Sequence, residues 1–112
     1  MLLLALPGRA EPQRIVTAGS AITEIVCALG LGPHLVAVDT SSRHLDETRD
    51  KPDIGYVRTL GAEGILSQRP DLILLSSEAG PPGVLEQLQR TGIPVVTVTN
   101  GHSLENIDDK IR

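Results

Sequence analysis

Leu72-Ile73-Leu74-Leu75, between Arg69-Pro70-Asp71 and Ser76-Ser77, is a continuous apolar run without polar alternation. A strand that is apolar on both sides is buried on both faces, which is typical of parallel sheets covered by helices. Pro70 ends the amphipathic segment before it, because proline cannot continue a helix. The run therefore predicts a doubly buried strand.

The same alternation of short apolar runs and amphipathic segments extends along most of the chain. Strands are predicted at residues 14–18, 35–38, 72–75 and 95–98. Helices are predicted at residues 20–29, 62–69 and 84–90, where apolar residues recur at helical spacing. Strands joined by such crossovers form an α/β fold, an open parallel four-stranded sheet with helices on both faces.

Helix boundaries are predicted from residues that favour helix ends. Ser20 is expected to cap the first helix through its hydroxyl, and Gly92 is expected to end the third. Another helix is predicted to begin at Ser103, with Leu104, Ile107 and Ile111 on one face. This helix has no stop signal before residue 112, which indicates a fragment of a longer protein.

The composition indicates one soluble domain and argues against several functions. The 112 residues are 40% hydrophobic and 21% charged, with a net charge of −4 and no basic run, so neither DNA nor another nucleic acid is an expected partner. Cys27, the one cysteine, is expected to be a small buried apolar side chain. His34, His44 and His102 lack metal-ligand spacing, and no acid–base set for an enzyme is present.

The first residues allow two interpretations. Met1-Leu2-Leu3-Leu4-Ala5-Leu6 is apolar but too short to span a membrane, and Gly8-Arg9-Ala10 places small residues where a signal peptidase would cut. Residues 1–13 are therefore interpreted as the residual part of a signal peptide, which predicts export. The alternative is a frayed terminal segment that contains a few leucines.

Tyr56 is the only aromatic residue of the chain, and Arg58 follows two positions later. In an extended segment, residues two apart project to the same side, so the phenol and the guanidinium could meet. A neighbouring positive charge favours the phenolate, and tyrosinate is one of the axial ligands that proteins use for haem iron. A half-buried ring beside a solvated arginine is the alternative.

The expected ligand site lies at one edge of the sheet. Ligands of open α/β sheets bind beyond the carboxyl ends of the strands. The segments predicted there are residues 19–20, 39–43, 76–82 and 100–102. Residues 39–53 form a long polar stretch that leads to Tyr56, and loops of this length are usually functional or disordered.

The order of these motifs resembles the N-terminal lobe of periplasmic haem-binding proteins of ABC haem importers. The resemblance runs from about Arg14 to Arg112. Its motifs are Arg14-Ile15-Val16, Thr23-Glu24-Ile25, residues 35–41, Asp53-Ile54-Gly55-Tyr56-Val57-Arg58, residues 69–74 and Gly80-Pro81-Pro82. The strand–helix and Arg-Pro-Asp-Leu patterns are shared with cobalamin and siderophore binding proteins, whereas the Gly-Tyr-Val-Arg segment is the sharper marker of haem binding.

The resemblance implies a role for each part of the chain. Residues 14–102 would be the N-terminal ligand-binding lobe, and residues 103–112 would begin the path toward the helix that joins two lobes. Tyr56 would be the axial ligand of haem iron, with Arg58 as its support. The chain would then belong to a periplasmic, non-enzymatic protein that captures haem and delivers it to an ABC permease, and the second lobe would be missing here.

Two alternatives stay open on sequence alone. The same fold could bind cobalamin or a ferric siderophore, which would make Tyr56 a packing contact. The other alternative is a small α/β enzyme or a regulatory module.

Overall fold

The structure, a computed structural model, describes residues 12–99. The strands in this range form one parallel four-stranded sheet. The strands are β1 (Ile15–Ala18), β2 (Leu35–Val38), β3 (Leu72–Ser76) and β4 (Val95–Val98), arranged in the order β2-β1-β3-β4. The helices are α1 (Ser20–Ala28), α2 (Ala62–Leu66) and α3 (Pro82–Gln89). The predicted α/β fold, an open parallel sheet with helices on both faces, is confirmed.

The sheet separates two apolar clusters, and β3 contributes to both. Leu72 and Leu74 pack on one face with residues of α1 such as Val26. Ile73 and Leu75 pack on the opposite face, where α2 and α3 provide side chains that include Ile65 and Leu88. All five residues of β3 are buried, which explains why this strand shows no polar alternation in the sequence.

The amino edge of the sheet is held by hydrogen bonds between the segment that precedes β1 and the segment that precedes β3. The carboxylate of Asp71 accepts hydrogen bonds from the backbone N–H groups of Gln13, at 2.9 Å, and Arg14, at 3.0 Å. In return, the Arg14 guanidinium donates to the carbonyl of Gln68 at 2.7 Å and to that of Arg69 at 3.1 Å. These bonds fix the entry of β1 against β3. We call this set the amino-edge clamp.

Two predicted helix boundaries differ from the structure. Ser20 is the first residue of α1 and makes no capping bond through its side chain, because Gly19 occupies the N-cap position. The last helix residue before Gly92 is Gln89, and Arg90 is the C-cap of α3. Gly92 still adopts a left-handed conformation, with φ of 83°, in the turn that follows. The helix predicted from Ser103 lies outside the described residues.

Within residues 12–99, no helix combines the length and the apolar character that a bilayer-spanning segment needs. The longest helix described, α1, has nine residues. The apolar run at residues 1–6 and the export signal predicted from it lie outside the described part of the chain.

Gly19 lies where β1 turns into α1 and approaches β3 closely. Its φ of 121° is a conformation that side-chain-bearing residues rarely adopt, and a Cβ atom added there would lie 2.8 Å from the Cβ of Ser76. Both constraints act at the same position, so glycine is required by backbone conformation and by space.

We expect Gly19→Ala to lower the free energy of unfolding by about 1–3 kcal/mol, the range for a strained backbone position. Gly64→Ala is the matched control, because a Cβ at Gly64 in α2 meets no atom within 4 Å. It should leave stability unchanged or raise it by up to about 1 kcal/mol through helix propensity. Urea unfolding monitored by circular dichroism measures both; equal midpoints for the two variants would contradict the close approach.

Candidate functional site

A pocket opens at the carboxyl edge, between the ends of β1 and β3. The chain leaves β1 toward β2 on one side and later returns to β3 on the other, so this is the point where the strand order reverses. Open α/β sheets bind ligands at such switch points. The pocket has a volume of about 280 Å³ and is lined by Gly19, Ser20, Ala21, Ile22, Ser41, Val57, Ser76 and Glu78.

Asp39, the first residue after β2, is fully buried beside this pocket and connects two of the loops around it. Its Oδ1 atom accepts hydrogen bonds from the Gly19 N–H at 2.9 Å and from the Ser42 hydroxyl at 2.6 Å. Its Oδ2 atom accepts from both the N–H, at 3.1 Å, and the hydroxyl, at 2.5 Å, of Ser41. A buried carboxylate that accepts four hydrogen bonds is satisfied without a cation.

A chain of buried hydroxyls extends the Asp39 network into the core. The hydroxyl oxygens of Thr17 and Thr23 lie 2.7 Å apart, and those of Thr23 and Ser42 are also 2.7 Å apart. These hydrogen bonds join β1, α1 and the turn after β2. Among the described residues, no buried side-chain nitrogen or oxygen lacks a hydrogen-bond partner. The Asp39 network is therefore a satisfied and specific polar arrangement.

The segment that leads to Tyr56 is attached to the exposed edge of β2. Ile54 donates its N–H to the Val38 carbonyl at 3.0 Å, and Thr40 donates its N–H to the Gly55 carbonyl at 3.0 Å. Val38 and Asp53 form an isolated parallel bridge. This short ladder brings Tyr56 to the carboxyl edge of the sheet, where the sequence predicted the ligand site.

Tyr56 begins a tight turn, so the predicted extended geometry is wrong. The Thr59 N–H donates to the Tyr56 carbonyl at 2.9 Å, and Gly55 precedes the turn with φ of 100°. The left-handed glycine redirects the chain, and side chains two apart do not project together across a turn. Arg58 instead lies 3.8 Å from Glu78, measured between Nη2 and Oε1.

Tyr56 is 68% exposed, and it is the one large hydrophobic residue that is exposed within residues 12–99. Its neighbour Val57 is half-buried and packs against the apolar cluster of α2 and α3. The phenol is therefore presented to solvent at the carboxyl edge by a turn that is itself anchored in the core. This exposure differs from the half-buried ring that was the alternative interpretation.

Backbone hydrogen bonds join the Tyr56 turn to the loop after β3. Gly80 donates its N–H to the Val57 carbonyl at 3.0 Å and accepts from the Leu60 N–H at 2.9 Å. The turn is thus fixed on one side to β2 and on the other to the β3 loop. Val57, Ser41 and Glu78 from these loops form one wall of the pocket.

The histidines in the described residues are not gathered around the pocket. His44 lies on the loop after β2, where its ring accepts or donates a hydrogen bond with the Ser41 carbonyl at 3.0 Å and its Nε2 lies 3.6 Å from Glu24. His34 belongs to a 3₁₀ turn before β2. His102 lies outside the described residues. Within residues 12–99, no group of three or more histidine, cysteine or acidic side chains could hold a metal ion.

A second cavity lies away from Tyr56, between the turn before β2 and residues 46–51. Its volume is about 370 Å³, and its lining includes Gly32, Pro33, Glu47 and Lys51. Cys27 of α1 is half-buried near this region and hydrogen bonds with Glu47. Burial, then the Glu47 hydrogen bond and charge, and then the charge of Glu24 raise the pKa of the Cys27 thiol from 9.0 to about 11.

We expect Cys27 to react with iodoacetamide at pH 8 roughly a hundredfold more slowly in the folded than in the unfolded chain. The pKa rises from 9.0 to about 11, so the thiolate, which is the reactive form, is depleted by that factor. Glu47→Gln should speed the reaction, whereas Glu63→Gln on α2 should not. Mass spectrometry of timed samples measures the rates, and equal folded and unfolded rates would contradict this contact.

The Asp39 network predicts that exchange of one carboxylate for an amide lowers the free energy of unfolding. Asp39→Asn places amide hydrogens opposite buried donors, so we expect a loss of about 1–3 kcal/mol in the free energy of unfolding. Asp50→Asn is the control, because Asp50 is exposed and surface substitutions usually stay within about 0.5 kcal/mol. Both variants can be compared by urea unfolding. A loss at Asp39 no greater than at Asp50 would show that the network contributes little.

Comparison with known proteins shows which family this chain resembles in sequence. The family model described as "Periplasmic binding protein" matches residues 15–112. A vitamin B12-binding protein from Pectobacterium carotovorum is 33% identical over 111 residues, which cover 99% of this chain and 40% of that protein. An uncharacterized ABC transporter substrate-binding lipoprotein from Bacillus subtilis is 33% identical over 99 residues, which cover 87% of this chain and 31% of that protein.

A solved structure shows the same fold. The crystal structure of a periplasmic haem-binding protein from Pseudomonas aeruginosa superposes with a TM-score of 0.79 at 43% identity, covering 88% of this chain and 36% of that one. The chain thus spans about 40% of the length of the first curated relative that it matches. By its sequence and its fold, the chain belongs to the periplasmic binding protein family.

Proposed function

We propose that this chain contributes the iron-ligating face of a substrate-binding protein that captures haem outside the cytoplasmic membrane and delivers it to an ABC permease. Haem is the cargo in this proposal, and no catalytic step is involved. The observation that most directly supports this proposal is the exposed Tyr56 phenol at the carboxyl edge, beside the switch-point pocket. Tyr56 is proposed as an axial ligand of the haem iron, and Arg58 as a second residue that contacts the bound ligand.

The position of Tyr56 suits an iron ligand better than a packing residue. An aromatic residue that served the core would be buried, whereas Tyr56 is 68% exposed. A flat macrocycle that covered the ring and the pocket would remove this apolar surface from water. Phenolate oxygen is also a hard anionic ligand, which ferric iron accepts.

Similarity to a haem-binding structure supports the same cargo. The Pseudomonas aeruginosa haem-binding protein is 43% identical to this chain, whereas the Pectobacterium vitamin B12-binding protein is 33% identical. The similarity to the vitamin B12-binding protein supports an alternative function, the binding of cobalamin by the same fold. In that case Tyr56 would pack against the ligand, and its hydroxyl would be dispensable.

Spectroscopy of the ferric complex separates these functions. We expect haemin bound to the chain to show a high-spin, tyrosinate-type absorption spectrum that is lost in Tyr56→Phe, because this substitution removes only the ligating oxygen. His34→Ala and His44→Ala are the controls and should keep the spectrum. Retention of the tyrosinate spectrum in Tyr56→Phe would contradict the proposed ligand, and tighter binding of cyanocobalamin than of haemin would favour the alternative.

A further inference from the structure

Among residues 12–99, the charged residue that lines the switch-point pocket is Glu78. The other described residues of the lining are glycine, alanine, serine, isoleucine and valine, so the Glu78 carboxylate is the charge that this part of the chain brings to the pocket wall. Arg58 lies just beyond, with its Nη2 atom 3.8 Å from Glu78 Oε1. A guanidinium of the Tyr56 turn therefore lies close to the negative charge that faces the pocket.

We propose that Glu78 is a specificity-determining residue, which competes with a carboxylate of the bound ligand for Arg58. The proposal rests on the proposed function, since it concerns the same pocket and an anionic porphyrin as cargo. Haemin carries two carboxylates. When one of them approaches the pocket, it meets the charge of Glu78 and an arginine that Glu78 already engages.

The Arg58–Glu78 pair is placed to exchange partners. The side chain of Arg58 is 74% exposed and that of Glu78 is 46% exposed, so water screens their attraction. Exposed ion pairs are weak, and breaking one changes an equilibrium by no more than about fivefold. A ligand carboxylate that is held at the same time by other contacts can therefore displace Glu78 at little cost.

Removal of this pair should not release the loops that carry it. The Tyr56 turn and the β3 loop are joined by the two backbone hydrogen bonds of Gly80, with Val57 and Leu60, and neither bond involves the charged side chains. The Glu78 N–H also donates to the Ser76 hydroxyl at 3.0 Å. The pair consequently adjusts the charge at the pocket while the backbone maintains its shape.

The test compares haemin with its dimethyl ester, in which both carboxylates are blocked. Glu78→Gln should tighten haemin binding about two- to fivefold at low ionic strength, which is the range expected for an exposed pair. The gain should vanish near 1 M salt, where the screening length falls to roughly 3 Å. The ester should bind equally well to both proteins, as measured by absorbance titration.

Three further variants complete the design. Glu86→Gln removes an exposed carboxylate from α3 that does not line the pocket, and it should leave haemin affinity unchanged. Glu78→Asp keeps the charge and should stay close to wild type, which controls for disturbance of the loop. In an Arg58→Ala background, Glu78→Gln should give a smaller gain than in the wild-type chain, because only the direct repulsion between Glu78 and the ligand carboxylate is then relieved.

The outcomes separate this inference from the proposed function. Unchanged or weaker haemin binding in Glu78→Gln would overturn the competition, as would an equal gain for the ester or in the Arg58→Ala background. None of these results depends on the iron ligand, which Tyr56→Phe tests separately. Loss of the tyrosinate assignment together with a carboxylate-dependent gain at Glu78 would remove the proposed ligand and leave the competition standing.

Discussion

The carboxyl edge of this sheet depends on one buried carboxylate. Asp39 accepts hydrogen bonds from Gly19, Ser41 and Ser42, and it thereby connects the turn after β1 with the turn after β2. A buried charge is costly unless its hydrogen bonds are made, so the two turns are tied to each other through the same atoms. The segment that presents Tyr56 is in turn bonded to Thr40, the residue that follows Asp39.

Much of the fold follows from apolar patterning in the sequence. Residues 72–75 predict a doubly buried strand because apolar side chains occupy both faces, and all of β3 is buried in the structure. Each of the four predicted strands is present, and neighbouring strands in the order β2-β1-β3-β4 pair in parallel, as strands joined by crossovers do. Helix ends were harder to predict, since Ser20 has the residue type of a cap while Asp39, distant in sequence, satisfies the Gly19 N–H.

The candidate site was predicted in part. The location of the site could be predicted, because the carboxyl ends of parallel strands share one edge, and Tyr56 lies at that edge. The relative positions of the Tyr56 and Arg58 side chains could not be predicted, because they depend on a turn whose signal in the sequence is Gly55. Asp39 and Glu78 lie in segments that were predicted at this edge, but neither was singled out. A carboxylate after a strand is common, and only the packed structure shows which one is buried and which one pairs with an arginine.

The amino-edge clamp has a consequence for how such a scaffold can change its cargo. Arg14 and Asp71 hold β1 and β3 in register at one end of the strands, and the pocket opens at the other end, roughly 13 Å away along the five residues of β3. The clamp therefore aligns the strands at a distance from the pocket. Loops beyond the carboxyl ends can differ in length and chemistry while the Arg-Pro-Asp segment keeps the sheet in alignment, so a change in loop sequence need not disturb the register of β1 and β3.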